Sequence, residues 1–372
     1  MNHCEITIIG AGIVGLAIAS ELSQEKEVVV LEKNSNYGQE TSSRNSEIIH
    51  AGIYYNENSL KAKLCLEGNH LLYDLCNKNN IPHKKTGKLI VATEDSEISQ
   101  LEELIKRGMN NGVNEIEIIS QKEIKNLEPL ISAKAALHSK STGIINTHSL
   151  MDFFYAGAHS NNAVFAFNSP VMNIEKQKEI YEVTIKDGND YFTFTTQIII
   201  NSTGLNSDKI AEMVGIDINK AKYKLHFCKG EYFTIKNNNI KLNHLIFPLP
   251  NKKLIGLGIH TTLDLGGSLR LGPNAFYVNE INYDVDESHK KEFFESARQY
   301  IPCLKEEDLQ PGFSGIRPKL QGKNGDYRDF IISHETENGF PGLINLIGIE
   351  SPGLTCAPSI AAYVKNIIND FF

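Results

Sequence analysis

Three glycines near the start of the chain have the spacing G-x-G-x-x-G that suits a phosphate-binding turn. Gly10, Gly12 and Gly15 lie between an apolar run and a stretch of small residues. The first glycine permits a tight turn, the second lets the backbone approach a pyrophosphate, and the third lets a helix pack on the preceding strand. Ile13 and Val14 would begin that helix, whose N-terminus favours bound anions. The spacing therefore predicts a dinucleotide site.

A second stretch, SSRNSEIIHAGIYY, combines residue types that seldom serve one purpose. An ordinary surface loop would not need the pair Ile48 and Ile49. An ordinary buried strand would avoid the polar residues 44–46 and the imidazole of His50. Two interpretations follow from the residues alone: His50 faces a ligand, or it is a partly buried histidine bonded to the backbone.

The glycine spacing lies inside a predicted strand–helix–strand unit. Residues 6–9 and 28–31 are apolar runs of strand length, and small residues typical of a packed helix separate them. Glu32 follows the second run, where a carboxylate can accept hydrogen bonds from a ribose, and we expect Lys33 at the same site. The next segment is polar and irregular, whereas a nicotinamide enzyme would continue with regular βα units. The pattern favours FAD over NAD.

The C-terminal segment LINLIGIESPGLTCAPSIAAYVKNII repeats the order strand, glycine-containing loop, helix. Thr355 can cap this helix, and Pro358 fits its first turn. A helix N-terminus that includes Gly353, Leu354 and Thr355 would stabilise negative charge on the N1/O2 side of a reduced flavin. This is a second indication of FAD.

The segment YEVTIKDGNDYFTFTTQIIINSTG predicts a hairpin around Asp187-Gly188 and then a buried strand. Thr203 and Gly204 form a small-residue turn at the end of that strand, which would complete the cofactor domain. The later strand-like segments KGEYFTI, LIGLGIHTT and FSGIRPKL have no glycine fingerprint. We expect them to form most of a substrate domain.

A chain of 372 residues exceeds the usual size of one hydrophobic core, so two domains are expected. The elements predict an α/β protein with a Rossmann-type FAD-binding domain and an α+β, mixed-sheet substrate domain. The FAD-binding domain is predicted to be discontinuous, with residues 1–85, 140–221 and 322–372. Residues 86–139 and 222–321 would form the substrate domain.

The composition excludes several classes of protein. Lysine and arginine number 37 against 45 acidic residues, which leaves a net charge of -8 and argues against a nucleic-acid surface. The six cysteines lie far apart without a CxxC pair, so neither a metal site nor a disulfide framework is predicted. A reducing cytoplasm is the expected location. No apolar run reaches spanning length, so any expected membrane contact is peripheral.

Several stretches together resemble the D-amino-acid-oxidase-like, or glycine-oxidase-like, superfamily of FAD enzymes. More narrowly, they resemble its L-2-hydroxyglutarate dehydrogenase/oxidase branch. The resemblance runs from Ile6 to about Thr355 and is carried by the segments GAGIVGLA, VVVLEK, RNSEIIHAGIYY, SLKAKLCLEG, KGEYF, GIHTT, LGPNA, GIRPKL and GIESPGLT. The chain departs from the branch at Glu47, where we expect glycine.

The resemblance implies oxidation of L-2-hydroxyglutarate to 2-oxoglutarate by hydride transfer to flavin N5, with oxygen or a quinone as electron acceptor. Arg44, Asn45 and Ser46 would contact the cofactor, and His50 would face the substrate. His260, in GIHTT, is the second candidate. Histidine suits removal of the hydroxyl proton because its pKa lies near neutrality, but the motifs do not choose between the two.

The implied substrate is a small anion and needs cationic partners. Arg317 in SGIRPKL would hold its C1 carboxylate through two parallel hydrogen bonds. Lys61 or Lys63 would meet a second carboxylate, although alone they would be solvated helix residues. Tyr54 or Tyr55 would donate a further hydrogen bond, with aromatic packing as an equal interpretation.

Three other functions remain open at this level. An amine or amino-acid oxidase would remove hydride from a carbon that bears nitrogen, and a glycerol-3-phosphate oxidising enzyme would act on another alcohol. A flavin-containing binding protein would use the same cofactor site without turnover.

Overall fold

A computed structural model describes residues 3–250 and 257–371, so residues 254–256 of the predicted strand LIGLGIHTT lie outside the described residues. The strands, in chain order, are β1 (His3–Ile9), β2 (Val28–Leu31), β3 (Ile48–Ile49), β4 (His83–Lys84), β5 (Lys88–Ala92), β6 (Ile116–Ser120), β7 (Ala135–Ser139), β8 (Gly143–Ile145), β9 (Val164–Ala166), β10 (Val171–Gln177), β11 (Ile180–Asp187), β12 (Asp190–Asn201), β13 (His226–Ile235), β14 (Leu245–Pro248), β15 (Thr261–Leu263), β16 (Leu269–Leu271), β17 (Phe276–Val278), β18 (Leu309–Lys319), β19 (Ile331–His334) and β20 (Leu343–Ile347). The α-helices are α1 (Ile13–Leu22), α2 (Leu60–Asn79), α3 (Ile98–Asn110), α4 (Gln121–Leu127), α5 (Thr147–Ser160), α6 (Ser207–Val214), α7 (Lys290–Ala297) and α8 (Gly353–Phe371).

The chain divides into two compact units that interleave along the sequence. Unit 1 comprises Met1–Ser43, Thr147–Phe227 and Arg317–Phe372, and unit 2 comprises Arg44–Asn146 and Cys228–Ile316. Each unit has a hydrophobic core of its own.

Four segments lie in a different unit from the one predicted. Residues 44–85 and 140–146 belong to unit 2, because Ile48, Ile53 and Ile144 pack in the same hydrophobic core as β5 and β7. Residues 222–227 and 317–321 belong to unit 1, where the hydroxyl of Tyr223 donates to the buried carboxylate of Glu335 at 2.8 Å. These contacts join segments that are far apart in the sequence, and local sequence patterns do not reveal such contacts.

A mixed sheet forms the centre of unit 1. Its strands run in the order β10-β11-β12-β1-β2-β9, β20 pairs with β12, and β19 pairs with β20. Strand β1 is parallel to both β2 and β12, and its residues from Ile6 to Ile9 are buried, as expected for a central strand covered on both faces. Helix α1 packs against α5 and α8. The predicted βαβ unit and hairpin are both present.

Three smaller sheets form unit 2. Strand β13 lies between β16 and β17, with β18 also paired to it, and β15 continues the sheet beyond β16. A second sheet has the order β14-β5-β7-β6, and the third has the order β3-β8-β4. The parallel pair of β14 and β5 sets Leu245 opposite Lys88. That register matters for the site described below.

All six cysteines are free thiols, and Cys303 is the exposed one. Within the described ranges no helix combines the length and apolar character needed to cross a bilayer.

Glu47 has a left-handed backbone, with φ of 56°. Its N–H donates to Asn45 Oδ1 at 2.8 Å, and its carbonyl accepts from Ile145 N at 2.9 Å, so the conformation is held on both sides. Glycine adopts this region without the clash that a Cβ causes. The structure thus explains why glycine is expected at this position.

Replacing Glu47 by glycine should raise the free energy of unfolding, because the left-handed backbone costs an L-residue about 1–2 kcal/mol. The greater freedom of glycine in the unfolded chain offsets roughly 0.4–1 kcal/mol of this gain. Urea unfolding of the purified protein measures the difference. Glu47→Ala keeps the Cβ and should show no gain; an equal gain in both variants would assign the effect to the carboxylate.

Candidate active site

The glycine-rich turn of unit 1 is built too tightly for side chains. Gly10 has φ of 100°, and a Cβ there would lie 2.7 Å from the carbonyl oxygen of Ser202. At Gly15 a Cβ would lie only 2.0 Å from the carbonyl oxygen of Gly10. The turn therefore packs directly on the end of β12, and Thr203, predicted as a cofactor residue, adjoins it.

The N-terminus of α1 opens at this turn without an acidic side chain. Gly12 is the N-cap residue and has no side-chain cap, and no acidic residue lies in the first turn. The N–H of Ile13 donates to Ser42 Oγ at 2.9 Å. A helix N-terminus whose N-cap residue is glycine and whose first turn has no acidic side chain suits a pyrophosphate. The roles of Gly12, Ile13 and Val14 in cofactor binding stay predictions.

Glu32 is buried at the end of β2, where its carboxylate holds the turn in place. One carboxylate oxygen accepts from Ala11 N at 2.9 Å, and the other accepts from Asn34 N at 2.9 Å and Asn34 Nδ2 at 2.8 Å. A carboxylate has about four lone-pair positions, so one remains for a ribose hydroxyl. The neighbouring Lys33 is exposed, with its ammonium 2.7 Å from Glu40 Oε1.

The other predicted cofactor residues of unit 1 lie at the ends of β12 and β20. Thr203 Oγ1 donates to Asn201 Oδ1 at 2.7 Å, and Gly204 has φ of 53° with open space where a Cβ would stand. Helix α8 begins at Gly353, so Leu354 and Thr355 lie within its first turn.

Two details of the C-terminal prediction need correction. Thr355 is inside α8 and not at its N-cap, and Pro358 lies beyond the first turn. The helix begins earlier because Gly353 N already donates to Glu350 O at 2.6 Å and Cys356 N to Pro352 O at 3.0 Å.

Residues Arg44, Asn45 and Ser46 belong to unit 2. The guanidinium of Arg44 lies over the ring of Tyr283, 4.0 Å from its centroid. The side chain of Asn45 accepts from Glu47 N, and the Ser46 hydroxyl is 2.7 Å from the hydroxyl of Tyr232. Their contact with a cofactor stays a prediction.

His50 follows β3 and is held by its backbone. Its carbonyl accepts from Asn69 Nδ2 at 2.9 Å. The residue as a whole is partly buried. Burial, followed by the nearby positive charges of Lys88 and His260, lowers the pKa of His50 to about 3. The ring is therefore a neutral proton acceptor, and its ionisation lies far from the near-neutral value expected from sequence.

His260 lies beside the first residue of β15 and is 5% exposed. Its ring stacks on Phe247, with 3.7 Å between the centroids. Nδ1 lies 2.8 Å from the carbonyl oxygen of Gly258, which can only accept, so Nδ1 carries a proton. In the neutral ring Nε2 is then the acceptor. The structure thus brings both predicted histidines to one cluster in unit 2.

Lys88, the first residue of β5, joins this cluster and was missed from sequence. It is 1% exposed, and Nζ lies 4.5 Å from the ring centroid of Tyr54 and 4.8 Å from that of Phe247. Burial lowers the pKa of Lys88 to about 7, against an opposing effect of Cys65. The one available signal was a lysine heading the apolar run KLIVA, but such a lysine is usually exposed. His50, Lys88 and His260 are called the basic cluster below.

The remaining predicted substrate residues are more scattered. Lys61 and Lys63 lie on α2, with Lys61 buried and Lys63 exposed. Tyr55 is partly buried, and its carbonyl accepts from Asn111 Nδ2 at 2.9 Å. Arg317 is partly buried on the part of β18 that belongs to unit 1. Their roles stay predictions.

Comparison with known protein families yields one match over most of the chain. The family model described as DAO, FAD dependent oxidoreductase, matches residues 5–367. Among curated proteins, the mitochondrial L-2-hydroxyglutarate dehydrogenase of Arabidopsis thaliana is 38% identical, and the alignment covers 98% of this chain and 83% of the relative. The glycerol 3-phosphate dehydrogenase of Caloramator mitchellensis is 32% identical, with 98% of this chain and 74% of the relative covered.

Solved structures also resemble the whole chain. The dithionite-reduced L-alpha-glycerophosphate oxidase of Mycoplasma pneumoniae with FAD bound has a TM-score of 0.89 at 29% identity, and the match covers 99% of this chain and 95% of that chain. The glycine oxidase of Geobacillus kaustophilus has a TM-score of 0.81 at 18% identity, with 100% and 96% covered. The second likeness concerns the fold alone.

Proposed function

Because the chain belongs to the DAO family of FAD-dependent oxidoreductases, we propose that it oxidises L-2-hydroxyglutarate to 2-oxoglutarate. The predictions of an α/β flavoprotein fold, of FAD and of an oxidoreductase are confirmed by the family match and the structural neighbours. The substrate is proposed from relatives: proteins named L-2-hydroxyglutarate dehydrogenase from several organisms are 29–38% identical over nearly the full chain.

FAD, when bound, supplies an acceptor for the hydride that leaves C2 of the substrate. The chain's own residues supply the binding site. The N-terminus of α1 would hold the pyrophosphate, and the remaining lone pair of Glu32 would hold a ribose hydroxyl. Both elements lie in unit 1: the helix begins after a glycine N-cap without an acidic residue in its first turn, and the Glu32 carboxylate is fixed by the N–H of Ala11.

The single observation that carries the proposal is the 38% identity over 98% of this chain to an L-2-hydroxyglutarate dehydrogenase, and the grouping of His50 and His260 with the buried Lys88 supports it. Oxidation of an alcohol requires a group that removes the hydroxyl proton, whereas a neutral amine already has a lone pair that assists hydride loss. His50 provides that acceptor because its pKa of about 3 keeps the ring unprotonated at physiological pH. His260, with its proton on Nδ1, can position the hydroxyl or share this work.

The positive charge of Arg317 suits an organic anion as substrate. We propose that Arg317 holds the C1 carboxylate, since its planar guanidinium can make two parallel hydrogen bonds. The reduced enzyme needs an electron acceptor, and we propose oxygen or a quinone. The six free thiols support the proposal of a reducing, cytoplasmic location, with any membrane contact peripheral.

Glycerol 3-phosphate is the second candidate substrate. The Caloramator relative and the Mycoplasma structure favour it, and its oxidation also removes a hydroxyl proton near an anionic group. The same basic cluster would serve either alcohol. The two substrates differ in the anion, which is a carboxylate in one and a phosphate in the other.

Anaerobic mixing of the FAD-loaded protein with candidate substrates tests the proposal. L-2-hydroxyglutarate should bleach the oxidised flavin band and yield 2-oxoglutarate. Glycerol 3-phosphate, glycine and L-proline should bleach the band at a rate at least tenfold lower. Faster bleaching by glycerol 3-phosphate would establish the second candidate. Bleaching by the amino acids would indicate an amine-oxidising enzyme, and no bleaching by any of them would favour a flavin-binding protein.

A further inference from the structure

We infer that Lys88, together with the hydroxyl of Tyr54, binds the second carboxylate of a dicarboxylic substrate. The inference rests on the proposed function and names the residues of unit 2 that would select the substrate class. It replaces neither His50 as proton acceptor nor Arg317 as partner of the C1 carboxylate.

The first argument is the unpaired charge of Lys88. Its side chain is 1% exposed, and in residues 3–250 and 257–371 no carboxylate lies within ion-pair distance of its ammonium. The rings of Tyr54 and Phe247, 4.5 Å and 4.8 Å from Nζ, stabilise a cation only in part. Burial of an ammonium without an anion is unfavourable and lowers the pKa of Lys88 to about 7, so a bound anion would stabilise the charged form.

The second argument is the hydroxyl of Tyr54, which is buried and has no hydrogen-bond partner within the part of the chain that the structure describes. Buried tyrosine hydroxyls are nearly always hydrogen-bonded. Burial raises the pKa of Tyr54 well above its usual value, so the group is a donor that requires an acceptor. A ligand carboxylate would accept from Tyr54 and pair with Lys88 at once.

The third argument is the position of Lys88 beside the proton acceptor. Nζ of Lys88 lies 4.8 Å from the centroid of the Phe247 ring on which His260 stacks at 3.7 Å, and the charge of Lys88 also lowers the pKa of His50. Strand register creates this arrangement: Leu245 of β14 lies opposite Lys88, and Ile246 N donates to Thr261 Oγ1 at 2.7 Å, next to His260. A short substrate can therefore place its hydroxyl at His50 and a carboxylate at Lys88.

Selectivity follows from the burial of the cluster. A substrate with an uncharged end would leave the Lys88 ammonium and the Tyr54 hydroxyl unsatisfied, which disfavours its binding. Lys88 also loses its charge readily, because its pKa is about 7; the titratable groups around it are His50, His260, Tyr54 and Cys65. A bound carboxylate would restore the charged form and draw a proton from solution.

Calorimetric binding to the FAD-loaded protein tests the inference without turnover. Glutarate and pentanoate have the same chain length and differ in the second carboxylate. At pH 7 the wild type should bind glutarate at least tenfold more tightly. Lys88→Met should remove that preference by weakening glutarate at least tenfold while changing pentanoate less than twofold. Lys106→Met, an exposed lysine of the same unit, should behave as the wild type.

The number of protons taken up on glutarate binding is a second measurement. It would not change if Lys88 had only a structural role. At pH 8, glutarate binding measured in buffers of different ionisation enthalpy should take up a large fraction of one proton in the wild type and little in Lys88→Met. Lys88→Gln serves as the second variant if Lys88→Met melts at a much lower temperature. Tyr54→Phe should weaken glutarate several-fold and leave pentanoate unchanged.

Several outcomes would overturn the inference. A wild type without glutarate preference, a Lys88→Met variant with unchanged preference, or an equal loss for both ligands would each remove Lys88 from the second carboxylate. A variant that binds glutarate normally but reduces its flavin slowly would make Lys88 the proton acceptor. Failure of L-2-hydroxyglutarate to reduce the wild-type flavin refutes the proposed function but leaves a measured glutarate preference intact, so the two failures are distinguishable.

Discussion

His50→Ala should slow anaerobic reduction of the flavin by about two to four orders of magnitude, the usual contribution of a general base. FAD content should stay normal, because the substitution leaves the glycine-rich turn and Glu32 unchanged. Stopped-flow absorbance at saturating L-2-hydroxyglutarate measures the rate constant. His70→Ala, which removes an exposed histidine from α2, is the matched control and should be normal.

The pH dependence separates His50 from Lys88. Burial lowers the pKa of His50 to about 3, so the acceptor form is present throughout the neutral range and the reduction rate constant at saturation should not rise between pH 6 and pH 8. Lys88 must be protonated to bind the substrate carboxylate. The protonated form is present below its pKa of about 7 and is lost above it. The ratio kcat/KM should therefore fall as pH rises above 7.

Other results would reassign the proton acceptor. If His50→Ala is normal and His260→Ala is slow, the base is His260. If both variants are normal, the histidine mechanism is wrong and the amine-oxidising alternative gains support. A rate constant in the wild type that rises through pH 6.5 would show that the imidazole titrates near neutrality in spite of its burial.

Gly15→Ala should abolish retention of FAD and destabilise the protein without cofactor. The new Cβ would lie 2.0 Å from the carbonyl oxygen of Gly10 and 2.6 Å from Ser202 Oγ, so the backbone of the turn must move. Overpacking of this kind costs about 1–3 kcal/mol, and here it also displaces the amides that face the pyrophosphate. Flavin absorbance after gel filtration measures retention, and thermal unfolding of the apoprotein measures stability.

Gly12→Ala is the matched variant for this prediction. Its Cβ would meet only the flexible hydroxyl of Ser42, at 3.0 Å. The apoprotein should keep its melting temperature while FAD affinity falls at least tenfold, because the second glycine is the point of closest approach to the pyrophosphate. Unchanged FAD binding in Gly15→Ala, or equal destabilisation of both apoproteins, would contradict the assigned roles.

The sequence by itself determined the cofactor half of this protein. The turn from Gly10 to Gly15, the helix that follows it and the acid at Glu32 are contiguous, so local spacing specifies how they meet. The predicted βαβ unit and hairpin follow from short-range periodicity in the same way. The sequence also singled out His50 as a candidate site residue, because an imidazole directly after an Ile pair fits neither an ordinary surface loop nor an ordinary buried strand.

Only the tertiary structure decided the charge state and the neighbours of the basic cluster. Lys88 meets Tyr54 and Phe247 because the strand that it begins pairs with β14, far along the chain. The same packing removes water from His50 and lowers its pKa to about 3. Residues 44–85 likewise belong to unit 2 because Ile48 and Ile53 pack in the core to which β5 and β14 contribute. Strand pairing and burial join distant segments, and no local pattern records them, because desolvation depends on everything packed around a group.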